Sequence, residues 1–164
     1  MAAPTPGKRP SESSVEMTEM VLPESANNLG TIFGGQVMSW IDIAAAIAAG
    51  RHARRVVVTA SIDALHFLAP VKVGEVVRIK AQVNYAARTS MEVGVRVEKE
   101  NLISGAVAHT ATAYATFVAL DEKGKPTDVP PVTPETEEEK RRYNEAVKRR
   151  EARVALAQQL KKKR

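Results

Sequence analysis

The stretch from Gly34 to His52, GGQVMSWIDIAAAIAAGRH, reads as one helix with apolar side chains in nearly every direction. Val37, Met38, Trp40, Ile41, Ile43 and Ile47 leave no wide polar face, so this helix has to be enclosed on most sides. What can enclose it comes next in the chain. From about Arg54 to Leu120 the residues read as strands, beginning with the extended VVVTASIDALHFLAP and a turn marked by Pro70 and Gly74. Val77, Ile79, Ala81, Val83 and Tyr85 then alternate with Arg78, Lys80, Gln82 and Asn84, a period of two. Met91, Val93, Val95 and Val97 alternate with Glu92, Arg96 and Glu98 beyond the turn Ala87-Arg88-Thr89, which predicts an antiparallel hairpin. A last strand, rich in Ala, Thr and Val, runs from about Ser104 to Leu120, and a short one with Val15, Met17 and Val21 precedes the helix. The fold class expected is α+β: an antiparallel sheet wrapped around one long central helix, plus a C-terminal helix.

The boundaries follow from composition. Residues 1–12 are rich in Pro, Ser and basic side chains and are expected to form a disordered tail without the apolar stretch of a secretory signal. The domain covers 13–124, closed by the turn Asp121–Gly124. A Pro-rich linker spans 125–133, and 134–164 read as a basic helix with Thr133 as N-cap and Pro134 at its first position. That last segment holds eleven Lys/Arg against six Glu, an excess equal to the net charge of +5 of the whole chain. Segregated charge of this kind fits a solvated helix face, a contact with nucleic acid, or an anionic small molecule. Aromatics are only 4% of residues and no stacking motif is present, so nucleic acid is not the expected partner. No long apolar run is free of charge, so no membrane span is expected, and the cytoplasm is the expected location. The absence of cysteine excludes a disulfide framework, a thiolate nucleophile and any Cys-ligated metal.

Asp42 is the most informative residue. It is the only charged side chain between Gly30 and Gly50 and sits mid-helix among Ile and Ala. A carboxylate buried there must be paired, protonated or facing a polar cavity. It could equally be a structural group bonded to a loop or facing a dimer partner. Before the helix, Asn27, Asn28 and Gly30 form a turn, and Gly34-Gly35 open the helix. Glycines there admit close approach to the free N–H groups of the first turn, which can stabilise a developing oxyanion; tight packing is the alternative use. No G-x-S-x-G elbow exists, and His52, His66 and His109 lack metal-ligand spacing. Hydrolytic chemistry would then rest on a carboxylate, as general base on water or as nucleophile.

The segment NNLGTIFGGQVMSWIDIAA resembles the N-x-x-G-x-x-x-G-G…D signature that opens the central helix of hotdog-fold acyl-CoA thioesterases. The similarity continues through VTASIDALHFLAPVKVGEVV and RTSMEVGVRVE into ETEEEKRRYNEA, covering roughly Val15 to Arg150. It resembles in particular the cytosolic and brown-fat-inducible acyl-CoA hydrolases and their bacterial single-domain relatives. The resemblance implies a hotdog enzyme hydrolysing acyl-CoA to fatty acid and coenzyme A, without cofactor or metal. By it, Asp42 and Asn27 are the catalytic pair, contributed by different subunits of a homodimer, with a trimer of dimers as the implied assembly. Coenzyme A contacts are implied at Ser39, at Thr59, Ala60 and Ser61, at Arg88, Thr89 and Ser90, and at Arg150 or Arg149 of the last helix. Phe33 stands where many relatives carry His, so no role of that His transfers. The alternative reading is a non-catalytic acyl-CoA-binding regulatory module, which would need the Arg88 segment but not Asp42.

Overall fold

The computed structural model describes residues 5–63 and 65–161. Its elements are β1 (Val15–Met20), α1 (Gly34–Ala53), β2 (Val56–Ile62), β3 (His66–Phe67), β4 (Val76–Ala86), β5 (Ser90–Glu100), β6 (Val107–Leu120) and α2 (Glu137–Lys161). All strands join one antiparallel sheet in the order β1-β4-β5-β6-β2, with β3 also paired to β6. The sheet curls around α1, and α2 lies on its other face. This is the expected α+β hotdog fold.

The alternation read from the sequence is the reason. Val77, Ile79, Ala81 and Val83 on β4, and Met91, Val93, Val95 and Val97 on β5, are buried. So are Ala111, Ala113, Ala115, Phe117 and Ala119 on β6. These side chains meet one stripe of α1, formed at helical spacing by Val37, Ile41, Ala44, Ala45, Ala48 and Ala49. Alanine on both surfaces lets helix and sheet lie close, so Ile41 and Phe117 carry much of the remaining volume. Truncating Ile41 to Ala would cost about 2–5 kcal/mol, because so tight a contact cannot collapse to fill the void.

The structure corrects three boundaries. The disordered tail expected over 1–12 is ordered from Lys8 onward, while residues 1–4 lie outside the described residues. Pro10–Ser13 form a 3-10 turn in which Ser13, fully buried, donates to the Pro10 carbonyl at 2.7 Å and accepts from the Val83 N–H at 2.9 Å. The expected linker 125–133 is a strap packed on the domain: Val129 and Val132 are buried, and the Val129 N–H donates to the Arg88 carbonyl at 2.9 Å. Lys8 pairs with it through the N–H of Lys8 to the Pro131 carbonyl and the N–H of Thr133 to the Lys8 carbonyl, both 2.9 Å. Finally, the last helix starts at Glu137 rather than Pro134. Thr136 is its cap, accepting the Glu139 N–H at 3.1 Å, while Glu139 accepts the Thr136 N–H at 3.0 Å. This reciprocal capping box satisfies two free donors and outcompetes the Thr133-Pro134 start.

Candidate active site

One chain encloses only one side of α1. On the opposite side Ile43 and Ile47 are 46% and 41% exposed, and Met38, near the start of the helix, is 44% exposed. Asp42 lies beside this open face and is half-buried, not buried as the sequence suggested. Its neighbour is β2, whose outer edge has no strand partner, so Val56 and Val58 are 68% and 43% exposed. Thr59 of β2 reaches across and donates its hydroxyl to Asp42 Oδ1 at 2.7 Å. The β2–β6 register slips between Thr59 and Ser61, leaving Ala60 as the extra residue of a bulge. The bulge re-aims the strand at the point where Thr59 meets the carboxylate.

Asn27 is used by its own loop. Its Oδ1 accepts the Leu29 N–H at 2.9 Å and the Thr31 N–H at 3.3 Å, and its Nδ2 donates to Thr31 Oγ1 at 2.9 Å. Gly30, at φ +73°, completes the turn in the left-handed region that favours glycine. No hydrogen bond joins Asn27 to Asp42 among the described residues of one chain. At the start of α1 no side chain caps the helix; the Gln36 N–H donates to the Phe33 carbonyl at 3.0 Å, and the Gly34 and Gly35 N–H groups are left for another acceptor. The ring of Phe33 lies so close over Gly35 that a Cβ there would sit 2.6 Å from it, so tight packing is one real use of the double glycine. Gly34 lines a pocket of about 290 Å³ with Ile32, Val37, Phe67, Leu68 and Val71, an apolar cavity at the positive end of the helix.

The strand register draws together the segments expected to hold coenzyme A. Thr59, Phe117 and Met91 share one row across three strands, and Val58, Val118 and Ser90 share the next. The backbones at Ser90 and Thr59 are therefore about 10 Å apart, with the two side chains in successive rows that point to opposite faces of the sheet. Arg88, in the turn before Ser90, is exposed and pairs with Asp128 of the strap at 2.9 Å. Ser39 is exposed on α1. Arg149 and Arg150 separate cleanly. Arg150 faces solvent, whereas Arg149 is drawn onto the sheet, donating to both oxygens of Glu92 at 2.7 and 3.1 Å with its guanidinium 3.6 Å over the ring of Tyr114. Sequence reasoning read Glu92 as an outward polar residue of an alternating strand. It is buried because α2 covers that face, and an Arg-rich helix after a sheet with one central Glu was the available signal. Among the described residues, no group of three or more His, Cys, Asp or Glu is arranged to hold a metal ion.

A family model described as Thioesterase superfamily matches residues 29–106. The uncharacterized acyl-CoA thioester hydrolase YkhA of Bacillus subtilis is 49% identical over 138 residues, covering 84% of this chain and 80% of that protein. The chain belongs to the acyl-CoA thioesterase family. An apo-hexameric acyl-CoA thioesterase superposes on this family member with a TM-score of 0.90 at 45% identity, covering 93% of this chain and 97% of that one. The acyl-CoA hydrolase of Staphylococcus aureus, in complex with butyryl coenzyme A, coenzyme A and coenzyme A disulfide, does so with a TM-score of 0.86 at 42% identity, covering 96% and 98%. Alanine mutants of that hydrolase at an aspartate, an asparagine and a threonine have also been solved. No described helix of this thioesterase is long and apolar enough to cross a membrane.

Proposed function

We propose that the protein hydrolyses acyl-CoA thioesters to free fatty acid and coenzyme A in the cytoplasm, in a site completed by a second copy of the chain. The observation that carries this is Asp42 at the rim of the open α1 face, with Thr59 bonded to one carboxylate oxygen. Thr59 fixes the rotamer and leaves Oδ2 free to take a proton from water or to attack the thioester carbon. The thioester carbonyl oxygen would lie at the uncapped start of α1, where the Gly34 and Gly35 N–H groups stabilise the tetrahedral oxyanion. Collapse of that intermediate expels the coenzyme A thiolate, which needs no strong acid. The pocket lined by Val37, Phe67 and Leu68 would take the acyl chain.

Asn27 is the second catalytic residue in this reading, facing Asp42 of the partner subunit to orient water or the carbonyl. Within one chain its amide shapes its own turn, and one Nδ2 hydrogen is left to donate toward the partner's site. The exposed stripe Met38, Ile43, Ile47 and the open edge of β2 are the surfaces a partner would cover. Coenzyme A would run along Ser39, Thr59, Ala60, Ser61, Arg88, Thr89 and Ser90, with Arg150 meeting a phosphate. The residue types mutated in the Staphylococcus aureus hydrolase match Asp42, Asn27 and Thr59.

Thiol release from a panel of acyl-CoAs, acetyl to palmitoyl, tests the reading. Asp42→Ala should lower kcat by about 100-fold or more, the scale of a lost general base, while coenzyme A still binds. Near wild-type turnover by Asp42→Asn would overturn it.

A further inference from the structure

The second half of α2 is tied to the sheet by a network that the reaction as described does not use. Glu92 on β5 is 2% exposed, and a carboxylate so buried is costly unless it is paired and hydrogen-bonded. Three groups satisfy it. Arg149 binds both of its oxygens, Asn84 Nδ2 donates to Oε1 at 3.4 Å, and Arg153 Nη1 lies 3.5 Å from Oε2. Gly94 leaves the room Asn84 needs, because a Cβ there would stand 2.5 Å from its amide nitrogen. Arg149 and Arg153 are one helical turn apart and so share a face of α2.

Arg153 then reaches beyond the buried carboxylate. Its Nη1 donates to Asp63 Oδ2 at 2.8 Å, and Asp63 directly follows the last residue of β2. The Asp63 N–H is held by the Tyr114 carbonyl at 2.8 Å, beneath Arg149. Asp63 is thus pinned at backbone and side chain, four residues after Thr59. Between them lies the bulge at Ala60, on an edge strand with a neighbour on one side only. Beyond the bulge β2 keeps only two ladder pairs, Ser61 with Thr116 and Ile62 with Ala115, and the ties at Asp63 close that short end, where a bulge bends and twists the strand.

We propose that Arg153 is a positioning residue: through Asp63 it fixes the exit of β2, and so the bulge that aims the Thr59 hydroxyl at Asp42. Helix α2 is then part of the catalytic scaffold as well as a carrier of phosphate contacts. This rests on the reading of Asp42 as the reacting carboxylate. Small displacements of a positioning group lower the chemical step, since alignment is lost while the remote binding contacts persist.

The test is steady-state kinetics on the full chain with butyryl-CoA, for Arg153→Met, Arg153→Lys, Asp63→Asn, Thr59→Val and the double variant Thr59→Val/Arg153→Met. Arg153→Met should lower kcat roughly tenfold to a hundredfold, the scale of an ångström-level misplacement, with little change in KM, and Arg153→Lys should restore part of it. In the Thr59→Val background the same Met substitution should cost little more, because its route to Asp42 is already cut. Asp63→Asn, which leaves buried Glu92 untouched, covers the case in which Arg153→Met does not fold. A lowered melting temperature with unchanged kcat in either variant, or effects that multiply in the double variant, would overturn the proposal. Wild-type activity in Asp42→Ala would instead sink the underlying site assignment, which separates the two failures.

Discussion

In the proposed reaction Asp42, Thr59 and Asn27 carry the chemistry, and their surroundings set what each substitution should do. Among the described residues Thr59 gives the Asp42 side chain its one hydrogen bond, so Thr59→Val should slow hydrolysis while leaving the fold intact. Asn27 differs from its neighbour Asn28: Asn27 holds the turn with both ends of its amide, and the Asn28 side chain makes no hydrogen bond among the described residues. Asn27→Ala should therefore lose most activity and Asn28→Ala much less; kcat measured on both, with the reverse order, would assign the role to Asn28. If Arg88 meets a coenzyme A phosphate as proposed, Arg88→Ala should act on binding, raising KM more than it lowers kcat, because such a contact far from the thioester serves ground and transition states alike. The effect should shrink as salt rises. Of these residues, Asp42 stood out in the sequence as a lone charge in an apolar helix. Its bond to Thr59 could not be read, since the partner comes from a strand whose register decides the meeting.

At the scale of elements, the strap of residues 125–133 and the end of α1 are locked together by His52. This histidine is 1% exposed, its Nε2 lies 2.7 Å from the Pro130 carbonyl, and its Nδ1 has no partner among the described residues. Burial is the largest influence on its pKa and lowers it below the ordinary 6.5; the Pro130 carbonyl and Glu12 act upward, Lys8 downward. With the folded value depressed, the unfolded chain binds more protons below pH 6.5, so stability is lost as pH falls from 6.5 toward the folded value. Thermal unfolding between pH 7.5 and 5.5 should show that decline, and His52→Gln, which keeps the donor to Pro130, should flatten it. An unchanged pH slope in the variant would place the proton uptake elsewhere. The alternating strands and the core stripe of α1 were legible because burial imposes periods of two and of about 3.6 on any sequence. The strap was not, because its Pro-rich composition is equally compatible with a solvated linker and with an extended segment pinned by backbone bonds.

For the whole molecule, the exposed α1 stripe and the open edge of β2 predict that no stable monomer exists, which sedimentation across a dilution series would show or refute. If Asp42 and Asn27 of one site come from two chains, mixing inactive Asp42→Ala with inactive Asn27→Ala protein under subunit exchange should restore activity, since one site of each mixed dimer keeps both residues. Silence in dimers proven to be mixed would mean that each site is built within one chain. The amino-acid sequence by itself determined the element types, the central helix, the inward faces of the strands and the singular position of Asp42, because each is written in local periodicity and composition. The tertiary structure alone decided that the N-terminal segment from Lys8 and the 125–133 strap belong to the domain. It also decided that Arg149 serves Glu92 while Arg150 faces water, and that one side of α1 is left open. Those outcomes depend on which strand edges and helix faces a single chain manages to cover, a question of three-dimensional closure that no local pattern encodes.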